Sequence, residues 1–211
     1  MSRHIKARNI LSLCGSVAIL AVTASFISAY TGSEETQVQV SSTFSIPDVP
    51  PEASFAGEKV ILDRYDLYER YERELTATCY MHSTTLLTLK RANRYMPVIE
   101  PILKKNGIPA DFIYLAAIES HFDPRAYSAA GAAGIWQFMP KTARQYGLEV
   151  NESIDERYNV EKATVAACKY LKNAYAKYGS WLNAAASYNA GMGRITTEIA
   201  KQGEERALDL F

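Results

Sequence analysis

Between Pro109 and Gly191 the chain carries helix starts and stops at short intervals, and this punctuation limits its fold more than any other feature. Pro109 suits a first helical position, and Phe112, Leu115, Ala116 and Glu119 then recur on one face at helical spacing. Pro124 prevents much continuation. A small-residue loop follows from Ala126 to Gly134, and a short helix is expected to open near Pro140 and stop at Gly147. Asn159 can cap a longer helix whose apolar stripe includes Ala163, Ala167, Leu171 and Ala174, with Gly179 as its terminator. Ser180 can cap the next helix, WLNAAASYNA, which runs into Gly191. Two weaker segments lie upstream, Val60 to Tyr80 and Thr84 to Asn106, and Pro97 and Pro101 interrupt the second. No stretch alternates long enough to demand a buried strand, so an all-α fold is expected. The absence of a fixed repeat argues against a helical solenoid.

The 211 residues give room for one well-buried domain plus extras. At the N-terminus Arg3, Lys6 and Arg8 precede an apolar run from Ile10 to Val22 and the small-residue stretch TASFISA, the arrangement of an export signal. Residues 1–29 therefore read as a signal peptide cleaved after Ala29, with an uncleaved membrane anchor over residues 10–29 as the alternative. Ser, Thr and Gly within the run favour cleavage. Leu13 stands where a lipidation signal at Cys14 would need a small residue. Residues 30–58 are polar with three prolines and read as a flexible linker, followed by supporting helices over 59–106 and the main domain over 107–211. The chain is thus expected to be exported, to the periplasm or cell envelope.

Charge and cysteine usage exclude several function classes. Lys plus Arg and Asp plus Glu both total 23, so no excess of positive charge is available to gather a polyphosphate, and nucleic acid is not an expected partner. Cys79 and Cys168 follow the signal and can either pair or sit as buried thiols. With His82 and His121 the only histidines beyond it, and no C-x-x-C or H-E-x-x-H spacing, no metal site is expected. Gly131, Gly134, Gly191 and Gly193 follow no predicted strand, so they do not read as a phosphate cradle.

Glu119 is the most informative residue. It takes the next slot of the stripe made by Phe112, Leu115 and Ala116, which points a carboxyl inward near the negative end of its helix. Desolvation and the helix dipole both disfavour the ionised form and should raise its pKa above about 4.3. A carboxylic acid that keeps its proton near neutral pH is what protonation of a glycosidic oxygen requires. The alternative is a buried glutamate satisfied by a basic or hydrogen-bonding partner.

Three blocks surround that residue: IPADFIYLAAIESHFDPRAYS, GAAGIWQFMPKTARQYGL and AAASYNAGMGRI. Together they resemble the lytic transglycosylases of the goose-lysozyme-like group, most closely the membrane-bound D type, over roughly residues 85–200. The resemblance implies a lysozyme-like all-α fold and action on peptidoglycan without a cofactor. It places Glu119 on the family's catalytic acid/base position with Ser120 beside it, and Ser128 on a serine that hydrogen-bonds the sugar. Gln137 and Met139 fall where the family holds the sugar next to the scissile bond, and Trp136 stands where many relatives have methionine. Tyr188 and Asn189 look like cleft residues, with the backbone around Ala190 binding an acetamido group. Taken singly, Ser128 reads as a turn residue, Met139 as core filling and Tyr188 as a buried tyrosine.

Many glycosidases use two carboxylates, whereas the resemblance implies one. Glu119 would protonate the bond between N-acetylmuramic acid and N-acetylglucosamine, then accept the proton of the muramoyl C6 hydroxyl as a 1,6-anhydro ring closes. A hydrolytic muramidase would need a second carboxylate, for which Asp123, Asp155 or Glu156 are the candidates. An inactive peptidoglycan-binding scaffold is the reading from another class. The family closes its domain with a further tyrosine-bearing helix, whereas this sequence stops at RALDLF. The domain is accordingly expected either to lack that last helix or to be truncated, and no appended sugar-binding repeat is expected.

Overall fold

The computed structural model describes residues 47–202, apart from 51, 61 and 63. The signal or anchor expected over 1–29, most of the linker and the tail from 203 lie outside the described residues, as does any closing helix. Among the described residues the elements are β1 (Ala53–Phe55), β2 (Glu58–Val60), α1 (Tyr65–Tyr80), α2 (His82–Lys105), α3 (Ile113–Ser120), α4 (Pro140–Gln145), α5 (Val160–Tyr178), α6 (Trp181–Ala190) and α7 (Met192–Gln202). Short 3-10 turns at Ala110–Phe112 and Glu156–Tyr158 complete them. The molecule is helical, as expected. No helix among the described residues is long and apolar enough to cross a membrane.

α3 sits at the centre. Ile113, Tyr114, Leu115, Ala116, Ala117 and Ser120 are all buried, so this helix is apolar nearly all round and must be enclosed by others. α2 packs against α3 and α5, and α6 packs against α5 and α7. Local chemistry sets the boundaries. The Asn159 side chain accepts from the Lys162 amide and Ser180 from the Asn183 amide, while Gly179 (φ 65°) ends α5 in the left-handed region. At the end of α3 the left-handed residue is not glycine but His121 (φ 53°), with Phe122 (φ 55°) after it. His121 N donates to Ala117 O and Phe122 N reaches back to Ala116 O, and both L-residues are left-handed, so the turn just past Glu119 holds backbone strain.

Two expectations need correction. α2 runs unbroken through Pro97 and Pro101. The prolines are four residues apart and both are exposed, so they share the solvent face, where water can satisfy the carbonyls they leave free. The stretch read as linker ends in a β-hairpin, with Ala53 opposite Val60 and Phe55 opposite Glu58. Strands of three residues are too short to show as alternation. Phe55 is fully buried edge-on against Phe112, and Ala56 N donates to Asp111 Oδ2 at 2.7 Å. The Glu58 carboxylate then accepts from the Ser180 hydroxyl and from the Trp181 and Leu182 amides, an acidic cap on the positive end of α6 from more than 120 residues away. Beyond Gly191 the chain continues into α7, an amphipathic helix that buries Ile195. Cys79 and Cys168 are both free, Cys168 buried and Cys79 half-buried.

Candidate active site

Glu119 occupies one of two partly open positions on α3, the other being Ile118. Burial lifts its carboxyl from an ordinary 4.5 to about 7. No hydrogen bond or ion pair among the described residues holds that carboxyl, so desolvation acts without compensation. The nearby Tyr188 hydroxyl is pushed well above its usual range, first by desolvation and then by the charge of Glu119. Tyr188 donates to the carbonyl of Trp136 at 2.8 Å and packs edge-on against Phe138 and Tyr170. Trp136 is itself fixed, fully buried with its indole N–H donating to Thr164 Oγ1 at 2.9 Å.

A cleft of about 410 Å³ opens beside this tyrosine. Gln137, Met139, Tyr188, Asn189 and Ala190 all wall it, so the structure brings together five of the eight residues singled out from the sequence. Gln137 has φ 49°, a strained conformation for a side-chain-bearing residue. Its Nε2 donates to the carbonyls of Ala126 and Gly134, which leaves its amide oxygen as an acceptor for a ligand. Met139 is 43% exposed, so it is not core filling. Thr142, Gln145, Tyr146 and Tyr170 also wall it and were not singled out from the sequence. Their helical spacing was visible, but which face of α4 and α5 meets the cleft was not.

The other three residues stand elsewhere. Glu119 does not wall this cleft, and its tie to it is the charge that it exerts on the Tyr188 hydroxyl. Ser128 lies in the loop after α3, where its Oγ accepts from the Ala132 amide at 3.0 Å and keeps its own proton to donate. Ser120 requires a correction. It is 6% exposed, and its hydroxyl points inward to the carbonyls of Ile135 (2.8 Å) and Ala116 (3.1 Å). It straps α3 to the loop bearing Gln137 rather than facing a sugar, because the position after Glu119 is rotated about 100° around the helix.

Arg157 is the functional support that the sequence reading missed. Only 5% exposed, it forms a bidentate pair with Asp155, and Nη1 donates to the carbonyls of Gly131 and Phe138. It therefore clamps both ends of the segment that carries Gln137. The Arg157 backbone in turn explains Gly134, whose absent Cβ would lie 1.9 Å from the Arg157 carbonyl oxygen. A polar run, DERYN, carries no periodic signal for a buried arginine.

The three candidate second carboxylates are engaged elsewhere. Asp123 pairs with Arg91 at 2.7 Å, and Asp155 is held below its usual range by hydrogen bonds from Arg157. Glu156 accepts from the Glu149 amide and pairs with Lys162, which keep it low. Among the described residues no group of three or more His, Cys, Asp or Glu is placed to hold a metal ion.

Comparison with known proteins adds the family. The membrane-bound lytic murein transglycosylase D of Escherichia coli (strain K12) is 39% identical over 150 residues, 69% of this chain and 32% of that protein. The peptidoglycan transglycosylase gp16 of Escherichia phage T7 is 41% identical over 93 residues, 43% of this chain and 7% of that protein. The membrane-bound lytic murein transglycosylase F of Salmonella choleraesuis (strain SC-B67) is 32% identical over 118 residues, 51% of this chain and 22% of that protein. The chain thus spans about a third of the length of the E. coli relative. The family model of the transglycosylase SLT domain matches residues 96–211, more than half of the chain and every cleft residue described above. By that match the chain belongs to the transglycosylase SLT domain family, and its helical fold is lysozyme-like.

Proposed function

We propose that this chain is a peptidoglycan lytic transglycosylase of the membrane-bound D type, cleaving the β-1,4 bond between N-acetylmuramic acid and N-acetylglucosamine. The observation that carries this reading is the unpartnered Glu119 carboxyl, raised by burial to about 7 and close enough for its charge to act on Tyr188 of the cleft wall. Near neutral pH about half of such groups hold a proton and can give it to the glycosidic oxygen. As the C1–O4 bond breaks, its electrons go to that oxygen and the Glu119 proton completes the leaving hydroxyl. The muramoyl C6 oxygen then closes on C1 and its proton passes to the Glu119 carboxylate, which restores the acid. No water is consumed and no second carboxylate is needed. The tethered hydroxyl avoids the entropy of capturing a separate nucleophile. The engagement of Asp123, Asp155 and Glu156 with basic partners favours this over hydrolysis by a water-activating base.

Ser128 would donate to the sugar, and the Gln137 amide oxygen and exposed Met139 would hold the saccharide beside the scissile bond. Asn189 and the backbone at Ala190 would receive an acetamido group, and Tyr188 would keep the cleft wall in register with Glu119. The names of the relatives support a place in the cell envelope, to which residues 1–29 would deliver the chain as signal or anchor. The test is release of soluble fragments from purified sacculi. Wild type should release them, and Glu119→Gln should not, while still binding sacculi and melting as a folded protein. Substantial release by the variant would remove Glu119 from the chemistry.

A further inference from the structure

A second and larger hollow, about 830 Å³, lies apart from the cleft, between the outer face of α2 and the segment Asp123–Arg125 that follows α3. Its charge is one-sided. Lys90, Arg91, Arg94 and Arg125 line it, and the only carboxylate among its walls is Asp123, already paired with Arg91. Among the described residues no carboxylate pairs with Lys90, Arg94 or Arg125, so three cations face one hollow without a protein counter-charge. The chain as a whole is formally neutral, which makes this a local concentration rather than a general property. The hollow is also tied to the catalytic helix. Arg91 donates to the carbonyl of His121, two residues beyond Glu119, as well as to Asp123.

We propose that this basic hollow binds the free carboxylates of the peptide stems that peptidoglycan carries on its muramic acid residues, an inference that rests on the activity proposed above. A stem leaves the glycan at the same sugar whose C1 is attacked, so a receptor for it belongs beside the catalytic helix and outside the sugar cleft, which is where the hollow lies. Carboxylates on a flexible peptide match ammonium and guanidinium donors that are exposed and able to adjust. A flat anionic membrane fits worse, since the cations line a concavity with Pro124 and Tyr95 in its walls rather than a raised face.

The test compares two substrates on the full chain: glycan strands that keep their stems, and the same strands stripped of stems by an amidase. The triple variant Lys90→Gln/Arg94→Gln/Arg125→Gln should lose about tenfold in kcat/KM on stemmed strands, mostly through KM, and nothing on stripped strands. Arg94→Lys should stay close to wild type. In a Glu119→Gln background, where no turnover interferes, a fluorescent acidic stem tetrapeptide should bind and the triple change should weaken it, increasingly so at low salt. Equal losses on both substrates, no loss on either, or tetrapeptide binding that ignores the triple change would overturn the proposal. So would unchanged tetrapeptide binding with lost binding to phosphatidylglycerol vesicles, which would assign the cations to a membrane. If wild type cleaves neither substrate the proposed activity fails, and the tetrapeptide measurement still decides the hollow.

Discussion

Glu119 and Arg157 are both ionisable side chains drawn into the interior, and the structure treats them in opposite ways. Arg157 is surrounded by acceptors: two carboxylate oxygens of Asp155 and the carbonyls of Gly131 and Phe138. Its charge is fully answered and its pKa is raised, above all by the hydrogen bond to Asp155. Glu119 has no such answer, and desolvation moves it toward the neutral form. A buried charge that organises a loop needs partners, because the desolvation cost is otherwise uncompensated. A buried acid that must release and regain a proton is better without them, since each partner would fix one protonation state. On the proposed function, satisfied and unsatisfied polar groups therefore separate scaffold from chemistry.

The strongest way to break this contrast is to remove the satisfied member. Arg157→Met should destabilise the fold by about 4 kcal/mol, because Asp155 and two carbonyls lose their partner together. Chemical denaturation would measure it, and a loss near 1 kcal/mol would mean that Arg157 is not the clamp described. Next in size is the linkage of Glu119 to stability. Its folded pKa lies above the unfolded one, so between about 4.5 and about 7 the folded chain keeps a proton that the unfolded chain has released. Stability should accordingly fall as pH rises through that window, by at most about 3 kcal/mol and less where water reaches the carboxyl. Glu119→Gln should flatten that slope, with wild type and variant closest at low pH. Parallel curves would show that Glu119 is not desolvated.

Smaller effects sharpen the picture at residues between the two extremes. Ser120→Ala should cost about 1–2 kcal/mol of stability by freeing the Ile135 carbonyl from its strap. A loss of glycan affinity at unchanged stability would instead restore Ser120 to the sugar site. Tyr188→Phe should slow turnover by less than about tenfold, since one hydrogen bond to Trp136 O is lost and the ring packing is kept. A sharp fall in melting temperature at normal turnover would make it a core residue only.

What was legible in the sequence was local. Asn159, Gly179, Ser180 and Gly191 mark α5 and α6 because a cap is a contact within a few residues, and Glu119 stood out because the stripe on its helix is short and otherwise apolar. What escaped depends on distant partners. Glu58 caps α6 from across the chain, Phe55 finds its ring partner at Phe112, and Arg157 meets acceptors more than 18 residues away. Pro97 and Pro101 read as breaks because a proline removes a hydrogen bond wherever it sits. Only the packing of α2 shows that both fall where water can replace it. Ser120 was assigned by its neighbour, and one step along a helix turned it to the other side.

If one carboxyl acts on a tethered hydroxyl, the products of sacculus digestion carry the signature of that reaction. Mass spectrometry should find muramoyl ends in the 1,6-anhydro form, one water lighter than hydrolytic ends and unchanged by borohydride. Production should fall as pH rises above about 7, where Glu119 loses its proton. Borohydride-reducible muramic ends as the main product would mean that water is the nucleophile, and would contradict the mechanism even if Glu119 proved essential.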